Sequence, residues 1–227
     1  MELNIVEKFL ILAQHPTKGR FVIPDLKINH GIIGAILLEM SIDNKIVIEN
    51  DRLILKNTKN DDNQIIAEVS EIINNSKKLR KIKNWIPKLE NKARKYKWII
   101  LKDLVRKKII RIEKKKFLGI IPYKSCYLIN SKIRYDLIKE LKRRVQYHRD
   151  LDSANVSVLG LIEACHMYKV LTTEKAELKR IKKELKKIIK ESPIADTVDK
   201  TIKEVQAAVI SAVVATSAVT TAVAGSN

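Results

Sequence analysis

The feature that most constrains the fold is the run Gly31–Ile42, in which Glu39 is the only charged residue. Its apolar residues surround the helix axis instead of forming one stripe. A helix that is apolar on all sides has to be covered by other elements. The run therefore predicts a helix, Ile32–Ile42, inside a hydrophobic core. Gly31 and Gly34 lie three positions apart and allow a neighbouring backbone to approach closely.

Helical spacing of apolar residues accounts for most of the remaining chain. The predicted helical segments are residues 3–14, 65–73, 76–89, 91–108, 133–148, 156–171, 174–190 and 196–224. One β-hairpin is predicted at Lys45–Lys56 around Asn50 and Asp51, and a second at Ile109–Pro122, with its turn at Lys114–Lys116. These patterns predict a mainly α fold: a single helical domain, residues 1–227, with small β-hairpins on its surface.

Three further features bound the class of protein. Ala207–Ala224 is apolar but rich in Ala, Ser, Thr and Val, which favour membrane insertion only weakly, so we expect a buried helix there. The first residues contain an acid and no basic run, which argues against a signal peptide. Cys126 and Cys165 lie far apart and favour a reducing, cytosolic compartment.

Positive charge is concentrated in the forty residues Lys77–Lys116. This stretch has 18 Lys and Arg against three acidic residues, whereas Met1–Ser76 has 8 against 11. A lysine-rich composition alone would spread lysine along the chain. The clustering therefore favours a polyanionic partner, either a membrane surface or a nucleic acid.

The sequence contains no recognisable catalytic or cofactor-binding motif. The four histidines are scattered, and GxSxG, phosphate-loop and GxGxxG patterns are absent. Glu39, the only acid in the apolar helix, fits a hydrogen-bonded structural role better than a catalytic one. We therefore expect no enzymatic activity, no metal and no cofactor.

The basic stretch contains two cation pairs at helical spacing. Arg94 and Lys97 are three positions apart and share one face of the predicted helix, where they are suited to hold a phosphate between them. Lys102 and Arg106 form a similar pair further along. The alternative is that all four cations are the solvated side of an amphipathic helix.

The second hairpin combines large apolar residues with lysines. The apolar residues are Phe117, Leu118, Ile120 and Ile121, and the flanking lysines are Lys114, Lys115, Lys116 and Lys124. Exposed apolar groups surrounded by lysines are typical of shallow membrane insertion. The alternative is a hairpin that packs against another subunit.

The order of these motifs resembles the Golgi phosphoprotein 3 family of peripheral membrane proteins. The matching segments are Val6–Leu12, Gly31–Ile42 followed by a hairpin, Asn84–Ile86, the hairpin with Phe117 and Leu118, and Val158–Ala164. The resemblance runs from the first helix to the end of the chain. It implies a peripheral protein on the cytosolic face of a membrane, and the lysine-rich chain without a basic N-terminal extension favours a bacterial member.

The resemblance also implies a site. Members of the family bind phosphatidylinositol 4-phosphate in a shallow basic pocket, insert an apolar hairpin and recruit short cytosolic tails of membrane enzymes. Two basic pocket positions fall on Arg94 and Lys97. The family's pocket arginine falls on Ile33 and its tryptophan falls near Pro24, so both groups are missing here, and Trp85 is expected to fill the core.

The favoured hypothesis is a non-enzymatic peripheral membrane protein that recognises anionic phospholipid head groups. Arg94, Lys97 and neighbouring lysines would bind the head group, and the hairpin at residues 117–121 would insert or join subunits into a homo-oligomer. The first alternative is a winged-helix-like nucleic-acid binder, because a helix followed by a hairpin occurs twice. The second alternative is a cytosolic oligomeric adaptor.

Overall fold

The computed structural model describes residues 2–56, 61–191 and 203–215. Helices α1 to α7 are Ile5–Ala13, Asp25–Ile42, Gln64–Asn74, Ile82–Arg106, Ser131–Tyr147, Ser153–Ala164 and Lys175–Glu191. Strands β1 to β4 are Ile46–Glu49, Arg52–Leu55, Ile110–Phe117 and Ile121–Leu128. They form two separate antiparallel hairpins, β1 with β2 and β3 with β4. The mainly α fold with small hairpins is confirmed, and the extent of the domain over residues 1–227 stays a prediction.

Helix α2 lies in the middle of the hydrophobic core, as its apolar surface requires. Helices α1, α4 and α6 pack against it. The predicted approach of a neighbouring backbone at Gly31 and Gly34 is wrong, because the close neighbours of both glycines are side chains. A Cβ placed on Gly31 would lie 2.1 Å from Cζ of Phe9, and one on Gly34 would lie 2.4 Å from Cγ2 of Val209.

The two hairpins differ in how well the sequence predicted their turns. The first turn is at Asn50 and Asp51, as expected, and both residues have left-handed backbones with φ of 49° and 59°. The predicted turn at Lys114–Lys116 is wrong. These lysines belong to β3, and the chain reverses at Leu118 and Gly119, where φ is 49° and 75°. Glycine adopts this conformation without steric cost, which explains the position of the turn.

Helix α4 joins two segments that the sequence suggested separately. It runs from Ile82 to Arg106 through Pro87. The residues before it cannot be helical, because the amide of Leu53 donates to the carbonyl of Arg80 at 3.1 Å and so uses that backbone to extend the first hairpin. Leu79, which lies in the helix predicted at 76–89, is outside α4 and 60% exposed in consequence.

The last segments of the chain also depart from the predicted bounds. The apolar stretch predicted at 156–171 divides, because α6 ends at Ala164 and His166 takes a left-handed φ of 57°. A 3-10 helix follows at Tyr168–Val170. Residues 203–215 are helical, and Val205, Ala208, Val209, Ala212 and Val213 are buried. The predicted burial of Ala207–Ala224 is confirmed in this part, and residues 216–224 lie outside the described residues.

None of the helices that the structure describes combines the length and apolar character needed to cross a membrane.

Glu39 of α2 is packed beside the beginning of α1. Its carboxylate accepts hydrogen bonds from the backbone amides of Ile5 and Val6, which favours ionisation, and Asp43 repels it. Burial is the largest effect and raises the pKa of Glu39 from 4.5 to about 7. The native state therefore binds more protons than the unfolded state between these two values, and stability falls as the pH rises through them.

We predict that Glu39→Gln removes the loss of stability at high pH. Glutamine keeps an oxygen that accepts from the amides of Ile5 and Val6, but it has no charge. The melting temperature of the variant should exceed that of the wild type at pH 8, and the difference should shrink towards pH 5. Thermal unfolding followed by circular dichroism measures this, with the exposed Glu71→Gln as the matched control. A difference between Glu39→Gln and the wild type that does not change with pH would contradict the assignment.

Candidate anion-binding site

A cavity of about 900 Å³ opens where four segments meet. Its walls are the connection between α1 and α2, the first turns of α2, the middle of α4, and β4 from Pro122 to Cys126. These segments are far apart in sequence, and burial of α2 between α1 and α4 brings them together. The cavity contains both cations predicted from the helical spacing.

Gln14 fixes the connection between α1 and α2 against the hairpin. The side chain is buried, and its amide nitrogen Nε2 lies 2.6 Å from the carbonyl oxygen of Cys126 and 3.1 Å from that of Arg20. Gly19 lies so close to β4 that a Cβ would come within 2.5 Å of the Tyr127 ring. The loop is therefore held as one wall of the cavity.

Arg94 and Lys97 both line this cavity, but they differ in their surroundings. Arg94 is exposed. The Lys97 side chain is only 10% exposed, and its Nζ lies 3.0 Å from Oδ1 of Asp25, which is 78% exposed at the beginning of α2. Lys97 is therefore already paired with a carboxylate, whereas Arg94 forms no ion pair with the residues that the structure describes.

The lining also contains Arg20 and Trp98, which the sequence did not single out, and Lys124, which was expected only as a lysine flanking the second hairpin. Trp98 could have been found from its spacing, because it lies four positions after Arg94 and so shares its helix face. The Nζ of Lys124 lies 4.9 Å from the centroid of the Trp98 ring, a cation–π geometry. Arg20 carries no sequence signal beyond its place in a loop, since only the folded chain brings that loop to α4.

Ile33 and Pro24, where the resemblance implied a missing arginine and a missing tryptophan, lie in different surroundings. Ile33 is fully buried in the core and does not line the cavity. Pro24 precedes α2 between two lining residues, Ile23 and Asp25. An indole is nevertheless present, because Trp98 supplies one from α4. Trp85 is 1% exposed, so its predicted place in the core is confirmed.

The second cation pair of α4 lies elsewhere. Lys102 is exposed and does not line the cavity. Arg106 pairs with Asp103 one helical turn earlier, at a different surface depression. This pair therefore has no part in the candidate site.

The apolar residues of the second hairpin form an exposed tip. The exposed fractions are 59% for Phe117, 79% for Leu118, 80% for Ile120 and 59% for Ile121. We refer to these four residues as the hairpin tip.

The three lysines on β3 below the hairpin tip are not equivalent. Lys114 and Lys116 are exposed, and they share one face of the strand. Lys115 lies on the other face, where it donates to the hydroxyl of Tyr127 and pairs with Glu113 at 3.3 Å. Lys114 and Lys116 are therefore the two that remain extended into solvent.

The remaining chemistry of the site is modest. Cys126 lines the cavity, and burial raises the pKa of its thiol to about 11, so it is protonated at neutral pH. Within residues 2–56, 61–191 and 203–215, no group of three or more His, Cys, Asp or Glu side chains is arranged to hold a metal ion. The arrangement is suited to binding an anion.

A family model described as Golgi phosphoprotein 3 (GPP34) matches residues 5–205. The matched range includes every residue that lines the cavity and the whole of the second hairpin. No curated protein sequence matches the chain at a significant level.

We predict that Gln14→Leu destabilises the protein by about 1–3 kcal/mol, because it removes the donor to the buried carbonyl oxygen of Cys126. Chemical denaturation measures the effect. The matched control is Gln64→Leu at the exposed start of α3, which should change stability by less than about 0.5 kcal/mol. Equal stability of the two variants would show that Gln14 does not hold the loop.

Proposed function

Because the chain belongs to the Golgi phosphoprotein 3 family, we propose that it is a non-enzymatic peripheral membrane protein that binds anionic phospholipid head groups. The cavity with Arg94 and Lys97 is the head-group site, and the hairpin tip enters the bilayer. The family suggests phosphatidylinositol 4-phosphate as the lipid and the cytosolic face of a membrane as the location. It also suggests cytosolic tails of membrane enzymes as protein partners.

One observation carries this proposal: strand β4 belongs to both the hairpin tip and the cavity. It begins at Ile121 in the tip, and its next five residues, Pro122–Cys126, line the cavity. Lys124 is three residues from Ile121, which is about 10 Å along an antiparallel strand. That spacing suits a phosphorylated head group at the membrane surface and an apolar tip in the outer part of the hydrocarbon.

The expected free energies support membrane binding by the apolar hairpin tip and the lysines acting together. Each large side chain of the tip gains roughly 1.5–3 kcal/mol at most when it is fully buried. Each lysine near an anionic leaflet adds on the order of 1 kcal/mol. Lys114 and Lys116 are extended into solvent beside the tip and are available for this attraction. Firm attachment requires more than one such signal, and this surface combines a basic cavity with an apolar tip.

The first prediction concerns the cavity. Vesicles of phosphatidylcholine with phosphatidylinositol 4-phosphate should bind the protein, and added salt should weaken that binding. Arg94→Ala should reduce binding roughly tenfold or more, because a hydrogen bond to a charged group contributes about 1.5–3 kcal/mol. Liposome flotation measures this.

The matched control is Lys95→Ala. Lys95 is adjacent on the same helix and has the same charge. It does not line the cavity, and its Nζ lies 2.6 Å from Oε2 of Glu68. Its binding should stay near that of the wild type. Equally poor binding of the wild-type protein to vesicles with and without the phosphoinositide would refute the proposed function.

The second prediction concerns the hairpin tip. Leu118→Asp should abolish most vesicle binding, since a charge would have to enter the hydrocarbon, while leaving the fold intact because Leu118 is exposed. Leu79→Asp is the matched control, an exposed leucine on another surface.

Light scattering on the same variants separates membrane insertion from the alternative of self-association. Insertion predicts that Leu118→Asp changes vesicle binding and leaves the mass in solution unchanged. A wild-type oligomer that Leu118→Asp dissociates, with vesicle binding intact, would instead assign the tip to a subunit interface.

A further inference from the structure

The cavity brings four cations together with one carboxylate. Arg20, Arg94, Lys97 and Lys124 line it, and Asp25 is the acidic lining residue. Asp25 pairs with Lys97 at 3.0 Å. In the described part of the chain, the other three cations form no ion pair with an acidic side chain. The lining of the cavity thus has four positive charges against one negative charge, a net charge of +3.

Folding alone does not account for this arrangement. Lys124 lies directly opposite Lys114 in the β3–β4 ladder. Like charges at directly opposed positions of a strand pair are destabilising, so the pairing costs stability unless an anion neutralises it. The Trp98 ring lies beneath the Nζ of Lys124 and keeps that ammonium at the cavity.

The three cations come from three different elements. Arg20 is in the loop fixed by Gln14, Arg94 is on α4, and Lys124 is on β4. A phosphomonoester carries about −1.5 to −2 charge at pH 7 and has three strong acceptor oxygens. A phosphodiester carries a single negative charge. Three cations that approach from separate walls match the monoester better, and each arginine can add a bidentate contact.

We infer that Arg20, Arg94 and Lys124 together bind a phosphomonoester, and that Lys97 acts as a positioning residue through Asp25. This inference rests on the proposed function for the source of the phosphate, which is then the head group of a phosphorylated lipid. The family's pocket arginine falls on Ile33, which has no charge. Arg20 and Lys124 supply positive charge in its place. The bound phosphate also links the loop, α4 and the hairpin, so the hairpin tip is oriented by the same contact.

The test measures two ligands on one set of variants. Isothermal titration calorimetry with inositol 1,4-bisphosphate reports the phosphate site without a membrane. Flotation with phosphatidylinositol 4-phosphate vesicles, compared with phosphatidylserine vesicles of equal net charge, reports the lipid. Arg20→Ala, Lys124→Ala and Arg94→Ala should each weaken both interactions roughly tenfold or more.

The control in both assays is Lys18→Ala in the same loop, which does not line the cavity. Lys116→Ala, also outside the cavity, is a control for the calorimetry alone, because Lys116 contributes to the attraction to vesicles. Each control should bind within about twofold of the wild type in the assay for which it serves. Lys97→Met leaves the Asp25 carboxylate unpaired in the cavity and should therefore weaken binding, and adding Asp25→Asn should restore it. Removal of any one of the three binding cations should instead reduce the salt dependence of binding.

The outcomes separate this inference from the proposed function. Binding of Arg20→Ala and Lys124→Ala at the wild-type level, with Arg94→Ala impaired, overturns the inference and leaves the function standing. Equal losses in the control variants also overturn it, because they would show diffuse attraction. If the wild type fails on the vesicles but binds the soluble phosphate through Arg20 and Lys124, the function fails and the phosphate site stands.

Discussion

The rest of the structure depends on the complete burial of helix α2. Its side chains from Ile28 to Leu38 are almost all removed from water, and each large one contributes roughly 1.5–3 kcal/mol when fully buried. No single neighbour can cover a helix on every side, so α1, α4, α6 and the helical residues 203–215 surround it. The beginning of α2, at Asp25, remains beside the opening that these neighbours leave.

The candidate site follows from that packing. Covering α2 aligns α4 so that one face fills the core with Trp85 while another presents Arg94, Lys97 and Trp98 to the opening. The second hairpin then closes the cavity with β4. Two features serve no purpose in this packing, namely the exposed hairpin tip and the cavity cations Arg20, Arg94 and Lys124, which form no ion pair among the described residues. The proposed contact with an anionic membrane would account for both.

Periodicity predicted the parts of the molecule that depend on local sequence. The core helix, the first hairpin with its Asn50–Asp51 turn, and the shared face of Arg94 and Lys97 all follow from spacing. The second turn was misplaced, because a lysine run is compatible with either a turn or an exposed strand and Gly119 decides between them.

The missing parts of the site depend on tertiary contacts. The pairing of Lys97 with Asp25 spans 72 residues, and the loop that contains Arg20 is joined to β4 by the long-range hydrogen bond of Gln14 to Cys126. No local pattern encodes either contact. The family resemblance likewise implied a pocket position at Ile33, which this chain has buried in its core, and it did not point to Trp98.

The most direct test of the account is the depth of the hairpin tip in a membrane. A nitroxide attached at Leu118→Cys reports this depth by electron paramagnetic resonance. The comparison is a nitroxide at Asp43→Cys, just after the end of α2, which is about 27 Å along the helix axis from the end at the cavity. On vesicles with phosphatidylinositol 4-phosphate, the account predicts that oxygen reaches the first label while an aqueous nickel complex does not, and that the second label stays in water. A label at position 118 that remains as open to the nickel complex as the one at 43 would contradict it.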